Sequence, residues 1–360
     1  MTDIFSGSYA SGDVHILLKP AVISPIGVGQ KEALIQSGAK HYSEMLSAEV
    51  LPDERYMRLY HEALARNAGR LKADIETLAS RIAMRPQTAR RCVVISLARA
   101  GTPIGVLLKR ALTRLGIETF HYSVSIIRGR GIDKNALRFI RDRHGAETSI
   151  FVDGWTGKGA IRSELQQSLS DSDLGFDPFL SVVADPAGCA DLAATTEDYV
   201  IPSGLLNGIV SGLISRSVLN DQIVGPWDFH ACVFQKNHRE HDISRDFLAA
   251  IETADVPGRY IANWNLEEAA GSRMRCRQLL EDLMAECKID DVNRIKPGIA
   301  EATRAVLRRV PEAVFIKHID DPEVQHIIHL ANQSNVPVIQ RNLHSYRAVT
   351  IIKKLGREQE

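Results

Sequence analysis

Residues 149–161 read SIFVDGWTGKGAI: an apolar run that ends in an acid, a tight turn with two glycines, and the opening of a helix. Glycines let backbone N–H groups converge on a phosphate, and a helix start adds a favourable dipole. Thr156 offers a hydroxyl and Lys158 a positive charge, while Asp153 at the strand end is placed for ribose hydroxyls or a hydrated metal ion. Upstream, RCVVISLA (91–98) is a β-branched run followed by a Gly-Thr-Pro turn and a helical stretch to Gly116. A strand at 117–127, a basic glycine loop, a helix over Lys134–His144 and a strand at 179–185 continue the alternation. Strands alternating with helices predict an α/β fold, a parallel sheet with helices on both faces, whose ligands sit at the C-terminal strand ends.

Two further loops fall at those ends. In SLARAGTPIG (96–105), Arg99, Ala100 and Gly101 form a small-residue turn suited to a pyrophosphate. In SIIRGRGIDKN (125–135), Arg128 and Arg130 sit on a flexible loop able to close over a leaving group. The irregular stretches 203–216 and 230–242, rich in hydrogen-bonding groups, are candidates for an acceptor pocket.

Around this core the chain reads as a helical N-terminal extension (1–90, with helices at 30–48 and 54–82), a core domain (91–254), and a linker and helix (255–289). A small C-terminal α/β/α module (290–360) ends it. In that module helices are expected from residue 299, at 323–334 and at 345–355, with strands at 313–319 and 336–340. Lys+Arg and Asp+Glu balance at 44 each, so no whole-chain field points to nucleic acid or a membrane. Five scattered cysteines without a CxxC pair argue against a disulfide framework or a structural zinc site. With neither a signal segment nor an apolar run of membrane-spanning length, the expectation is a cytoplasmic protein, compatible with a homodimer.

The order strand, Arg loop, strand, basic loop, strand, Asp plus TG-x-G loop resembles the type I phosphoribosyltransferases over residues 90–190. That resemblance implies phosphoribosyl pyrophosphate (PRPP) with Mg²⁺, an unidentified acceptor, and transfer that makes a nucleoside-like metabolite. It makes Thr156, Gly157, Lys158, Gly159 and Ala160 the 5-phosphate loop, Ala100 and Gly101 pyrophosphate contacts, Asp153 the ribose and metal contact, and Arg99, Arg128 and Arg130 the charge stabilisers. The family has a second acid where Gly154 stands here. That departure leaves a non-catalytic PRPP- or nucleotide-sensing RNA-binding regulator as an alternative.

Over nearly the full length, FSGSY (5–9), QSGAKHYSEML (36–46), residues 151–161 and NRIKPGIAEATRAVLRRVP (293–311) resemble the StiP-type family of tellurite-resistance and stress gene clusters. This resemblance implies a phosphoribosyltransferase-like domain joined to a Pelota-type RNA-binding domain. The RNA contacts would be Lys296, Gly298, Glu301, Ala302 and Arg304 at a helix start. The same family carries a cysteine-protease label. As a second alternative that label would require a nucleophile such as Cys189 with His230 or His238 as base.

Overall fold

The computed structural model describes residues 5–170, 172–258 and 262–355. Strand β1 (His15–Leu17) and the short β2 (Lys19–Pro20) lead into helix α1 (Val28–Gln36) and the long α2 (Glu54–Ala83). The expected helix at 30–48 therefore ends early, and only a single 3-10 turn (Tyr42–Glu44) follows Gly38, which adopts φ +75°. Asp53 caps α2, its carboxylate accepting the Tyr56 N–H at 2.7 Å.

The core follows as β3 (Arg91–Ala98), α3 (Gly101–Arg114), β4 (Glu118–Ile127), β5 (Gly131–Ile132), α4 (Lys134–His144), β6 (Ser149–Trp155), α5 (Ala160–Ser170), β7 (Leu180–Ala184) and β8 (Leu192–Thr195). The sheet order is β1-β4-β3-β6-β7-β8, all parallel, with β5 folded back on β4. Val93, Val94 and Ile95 at its centre are fully buried. Burial of each such side chain stabilises the fold by about 2 kcal/mol. Parallel strands covered on both faces read as unbroken β-branched runs, which is why 91–98 was legible as a strand. Strand β9 (Ala231–Cys232) pairs with β2, and α6 (Ser244–Thr253) and α7 (Leu266–Glu286) lead to the C-terminal sheet. The linker expected at 255–259 is described only to Gly258; Arg259 lies outside the described residues.

The C-terminal module consists of β10 (Ile295–Pro297), α8 (Ile299–Arg308), β11 (Pro311–Ile316), α9 (Gln325–Gln333), β12 (Val338–Gln340) and β13 (Ala348–Ile352), in sheet order β10-β13-β11-β12. The helix expected at 345–355 is instead β13. Its AVTII is β-branched and wholly buried between two strands, so burial and pairing decide over the helical spacing. One apolar cluster runs through both modules, from Val93 and Tyr56 to Ile299, Val306, Ile327 and Leu330. Helix α2 clasps the second module through Arg66 and Asn67, which donate to the Glu323 carboxylate at 2.7 and 3.0 Å.

Candidate functional site

A cleft of about 1440 Å³ opens where the C-terminal ends of β3, β4 and β6 meet α8 and β10. Its floor is the turn after β6. Gly159 adopts φ +85°, and Gly157 lies so close to the second module that a Cβ there would stand 2.7 Å from Glu301 Cγ. The glycines at this turn thus serve module packing as much as phosphate approach. Tyr346 donates its hydroxyl to Gly157 O at 2.7 Å, and the Lys158 ammonium donates to Val292 O and, at 3.1 Å, to Ile295 O. Burial, then Lys296 and Arg128, lowers Lys158 to about 7. Thr156 borders the cleft, and its hydroxyl is engaged: it donates to Asp185 at 2.6 Å and accepts the Ala187 N–H.

Asp153 lines the cleft with its carboxyl raised to about 7, chiefly by burial, and accepts its own neighbour's Gly154 N–H at 2.8 Å. Arg304 and Glu301 act on it from α8. Among the described residues no group of three potential metal-ligating side chains occurs. Besides Asp153, the carboxylate of Glu301 also lines the cleft near this strand end.

The arginine expected at the pyrophosphate is held by protein groups. Arg99 is buried, pairs with Glu49 at 2.6 Å and donates to Ile214 O and Asn207 Oδ1 at 2.7 and 2.9 Å. Arg99 and Ala100 line the cleft, with the guanidinium held by Glu49 and the stretch 203–216. Gly101 is needed for packing: a Cβ would lie 2.5 Å from Val152 O. The basic loop is also fastened. The Gly129 and Gly131 N–H groups donate to Glu164, Arg130 pairs with Glu44 at 2.8 Å, and Arg128 donates to Asn293.

The helix start expected to meet RNA is occupied as well. The carboxylate of Asp198, from the core module, accepts the N–H groups of Ile299 (3.0 Å) and Arg347 (2.8 Å). Burial raises this carboxyl to about 6. Lys296, Glu301 and Arg304 all line the cleft, with Arg304 stacked 4.4 Å over the Trp155 ring, and Gly298 is buried against Tyr346. Ala302 is likewise buried, in the shared core. These five residues therefore face the core module rather than an open RNA-binding surface.

Cys189 sits beside the turn, its Sγ 3.3 Å from where a Gly159 Cβ would stand. Burial and then Asp185 push the thiol up to about 12; Thr156, Cys276 and Arg273 are the other groups acting on it. The structure does not bring its proposed partners to it. His230 is buried between Ser125 Oγ (2.8 Å from Nδ1) and Asp133, and His238 lies on the 3-10 turn Lys236–His241. Lys31, Arg308, Trp155, Asp185 and Asp198 also shape the site and were not singled out from the sequence, while Arg216 fell within the expected acceptor stretch 203–216. Only Arg308, four residues after Arg304 on one helix face, had a local signal.

Comparisons with known proteins add three findings. A family described as "Tellurite-like stress resistance cysteine protease StiP" matches residues 7–252, and a PELOTA RNA binding domain matches residues 274–354. A protein of Acinetobacter baylyi named "Cysteine protease StiP" is 41% identical over 98% of this chain and 95% of its own length. Hypoxanthine phosphoribosyltransferase structures from Trypanosoma cruzi match at 17% and 13% identity, over 34% and 37% of this chain and 65% and 82% of theirs, with TM-scores of 0.26 and 0.27. These last values support no argument about activity. The expectation of a PRPP-dependent phosphoribosyltransferase is thereby corrected, because the long matches bear the name of a cysteine protease, a hydrolase. No helix among the described residues is long and apolar enough to cross a membrane.

Proposed function

This chain belongs to the StiP family of tellurite-like stress resistance proteins, and we propose that it acts there as a cysteine-dependent hydrolase, the activity for which its family and its Acinetobacter relative are named. The observation that carries the reading is 41% identity across 98% of the chain. We assign the nucleophile to Cys189, which is partly exposed and borders the cleft turn; Cys92, Cys232 and Cys276 are buried, and Cys287, partly exposed, caps the end of α7 away from the cleft lining. With the thiol held at about 12 it is protonated at neutral pH, so attack requires a change of surroundings. Removing the Asp185 carboxylate from its side, or bringing a cation or an imidazole to it, would favour the thiolate.

The test is digestion of an unfolded protein substrate, together with iodoacetamide labelling, by wild type and the five single Cys→Ala variants. Hydrolysis lost in Cys189→Ala alone supports the assignment. Hydrolysis that persists in every variant removes cysteine chemistry.

The cleft favours a second capacity, binding of a phosphorylated ligand of nucleotide size. Its support is the concentration of Lys158, Lys296, Arg304 and Arg128 around a glycine turn at the C-terminal strand ends. Mg²⁺ enters this reading only as a companion of the ligand's phosphates, with Asp153 as a protein carboxylate for it. RNA is the larger ligand to try, offered by its 5′ phosphate end, because the start of α8 is already capped. Affinity for ATP or a 5′-phosphorylated oligoribonucleotide should fall with salt and with Lys158→Ala. Equal affinity in wild type and variant would count against the turn as the phosphate site.

A further inference from the structure

Within the same cleft, a second group of cations comes from three distant parts of the chain: Lys31 on α1, Arg216 in the stretch before β9, and Arg304 and Arg308 on α8, with Arg304 the member nearest the glycine turn through Trp155. Of the acids near them, Glu301 and Asp153 act on Arg304, while two others are already engaged. Glu49 pairs with Arg99 at 2.6 Å and Glu32 with Arg309 at 2.5 Å. Among the described residues none of the four cations forms an ion pair with a carboxylate. Arg216 donates to the Tyr42 and Met45 carbonyls and Arg308 to Asn207. Arg216 Nη1, Arg304 Nε and Arg308 Nε are buried without a hydrogen-bond partner.

The four also act on one another. Burial and then Arg216, Arg309 and Arg308 lower Lys31 to about 8. Burial and then Arg99 and Arg304 lower Arg308. Like charges facing one cavity with unfilled donors destabilise the empty protein and are relieved by an anion.

We propose that Lys31, Arg216, Arg304 and Arg308 form a second anion site, separate from the turn at 156–160, which holds the far end of a polyphosphorylated small molecule of the nucleoside-triphosphate class. The inference rests on the phosphate reading of the cleft and deepens it. Guanidinium groups supply bidentate donors to phosphate oxygens, and two of them reach the site from the C-terminal module. A ligand bound at both ends would therefore tie the two modules together.

Calorimetric titration of the full-length chain with sodium tripolyphosphate and, separately, orthophosphate tests this. Tripolyphosphate should bind at least about tenfold more tightly than orthophosphate. Arg308→Gln and Lys31→Gln should each remove about tenfold of that affinity, the loss of one charge-assisted contact, and spare orthophosphate. Lys158→Ala should weaken both probes. Lys31→Gln should also keep or raise the melting temperature, since it relieves repulsion, which a structural lysine would not do. Tripolyphosphate affinity unchanged in Arg308→Gln and Lys31→Gln but lost in Lys158→Ala overturns the second site and leaves the cleft reading standing. Binding lost together with a lowered melting temperature in Lys31→Gln also overturns it, in favour of a structural role. No binding of either probe by wild type overturns both readings.

Discussion

The start of α8 contrasts with the rest of the helix. At its start, where free N–H groups and dipole would suit a phosphate, Asp198 already accepts the Ile299 N–H and the helix is closed. In its middle and at its end, Arg304 and Arg308 face the cleft with Nε donors unfilled. One helix is thus fastened at its start and unsatisfied further along, at Arg304, which the sequence suggested as an RNA contact, and at Arg308, which it did not. Buried donors that the fold has already satisfied hold the modules together, and those left over report what the cleft is built to receive.

The largest expected effect breaks the fastened end. Asp198→Ala leaves two buried N–H groups without their acceptor and should lower stability by about 2–5 kcal/mol, read by urea unfolding. Asp198→Asn, which keeps one acceptor, should lose less. The pH dependence has a definite sign. A native carboxyl at about 6, above its unfolded value, takes up a proton on folding between about pH 4 and 6, so this group's contribution to stability falls as pH rises through that window. Asp198→Asn should flatten that slope. An unchanged slope would show that other groups set it.

Next, Gly157→Ala places a methyl against Glu301 and should cost about 1–3 kcal/mol, checked by thermal melting. Wild-type stability there would mean that the modules yield at this contact. The open end is sharpened by pH. Lys158 is charged below about 7 and neutral above it, so affinity for sulfate, whose own charge stays constant, should fall by up to about tenfold per unit above pH 7. Lys158→Arg should make that profile flat. The smallest effect is Trp155→Leu, which removes the ring under Arg304 and should weaken that residue's hold by about 0.5–2 kcal/mol, seen as a modest loss of tripolyphosphate affinity.

The parallel sheet was legible because β3, β6 and β7 are continuous apolar runs and because glycine turns mark their ends. The turn 156–160 and Asp153 were legible for the same reason, and they do border the cleft. Arg99 lines the cleft as expected, but its partners Glu49, Asn207 and Ile214 lie 50 to 115 residues away and no local pattern links them. Lys31 escaped notice for the converse reason: it stands alone in sequence, and only the fold sets it beside α8, with Arg216, which closes the stretch 203–216 expected to line an acceptor pocket. β13 was mistaken for a helix because the charges and aromatic around AVTII give a helical spacing, while its position between two strands is a tertiary fact.

The apolar cluster that runs from Val93 to Leu330 has a consequence for inheritance. A segment recognised by likeness to other proteins is commonly treated as a cassette that recombination can transplant. Here residues 274–354 share their interior with the rest of the chain, so severing them would expose a raw face on both fragments. Separating the two halves would leave each without part of its core.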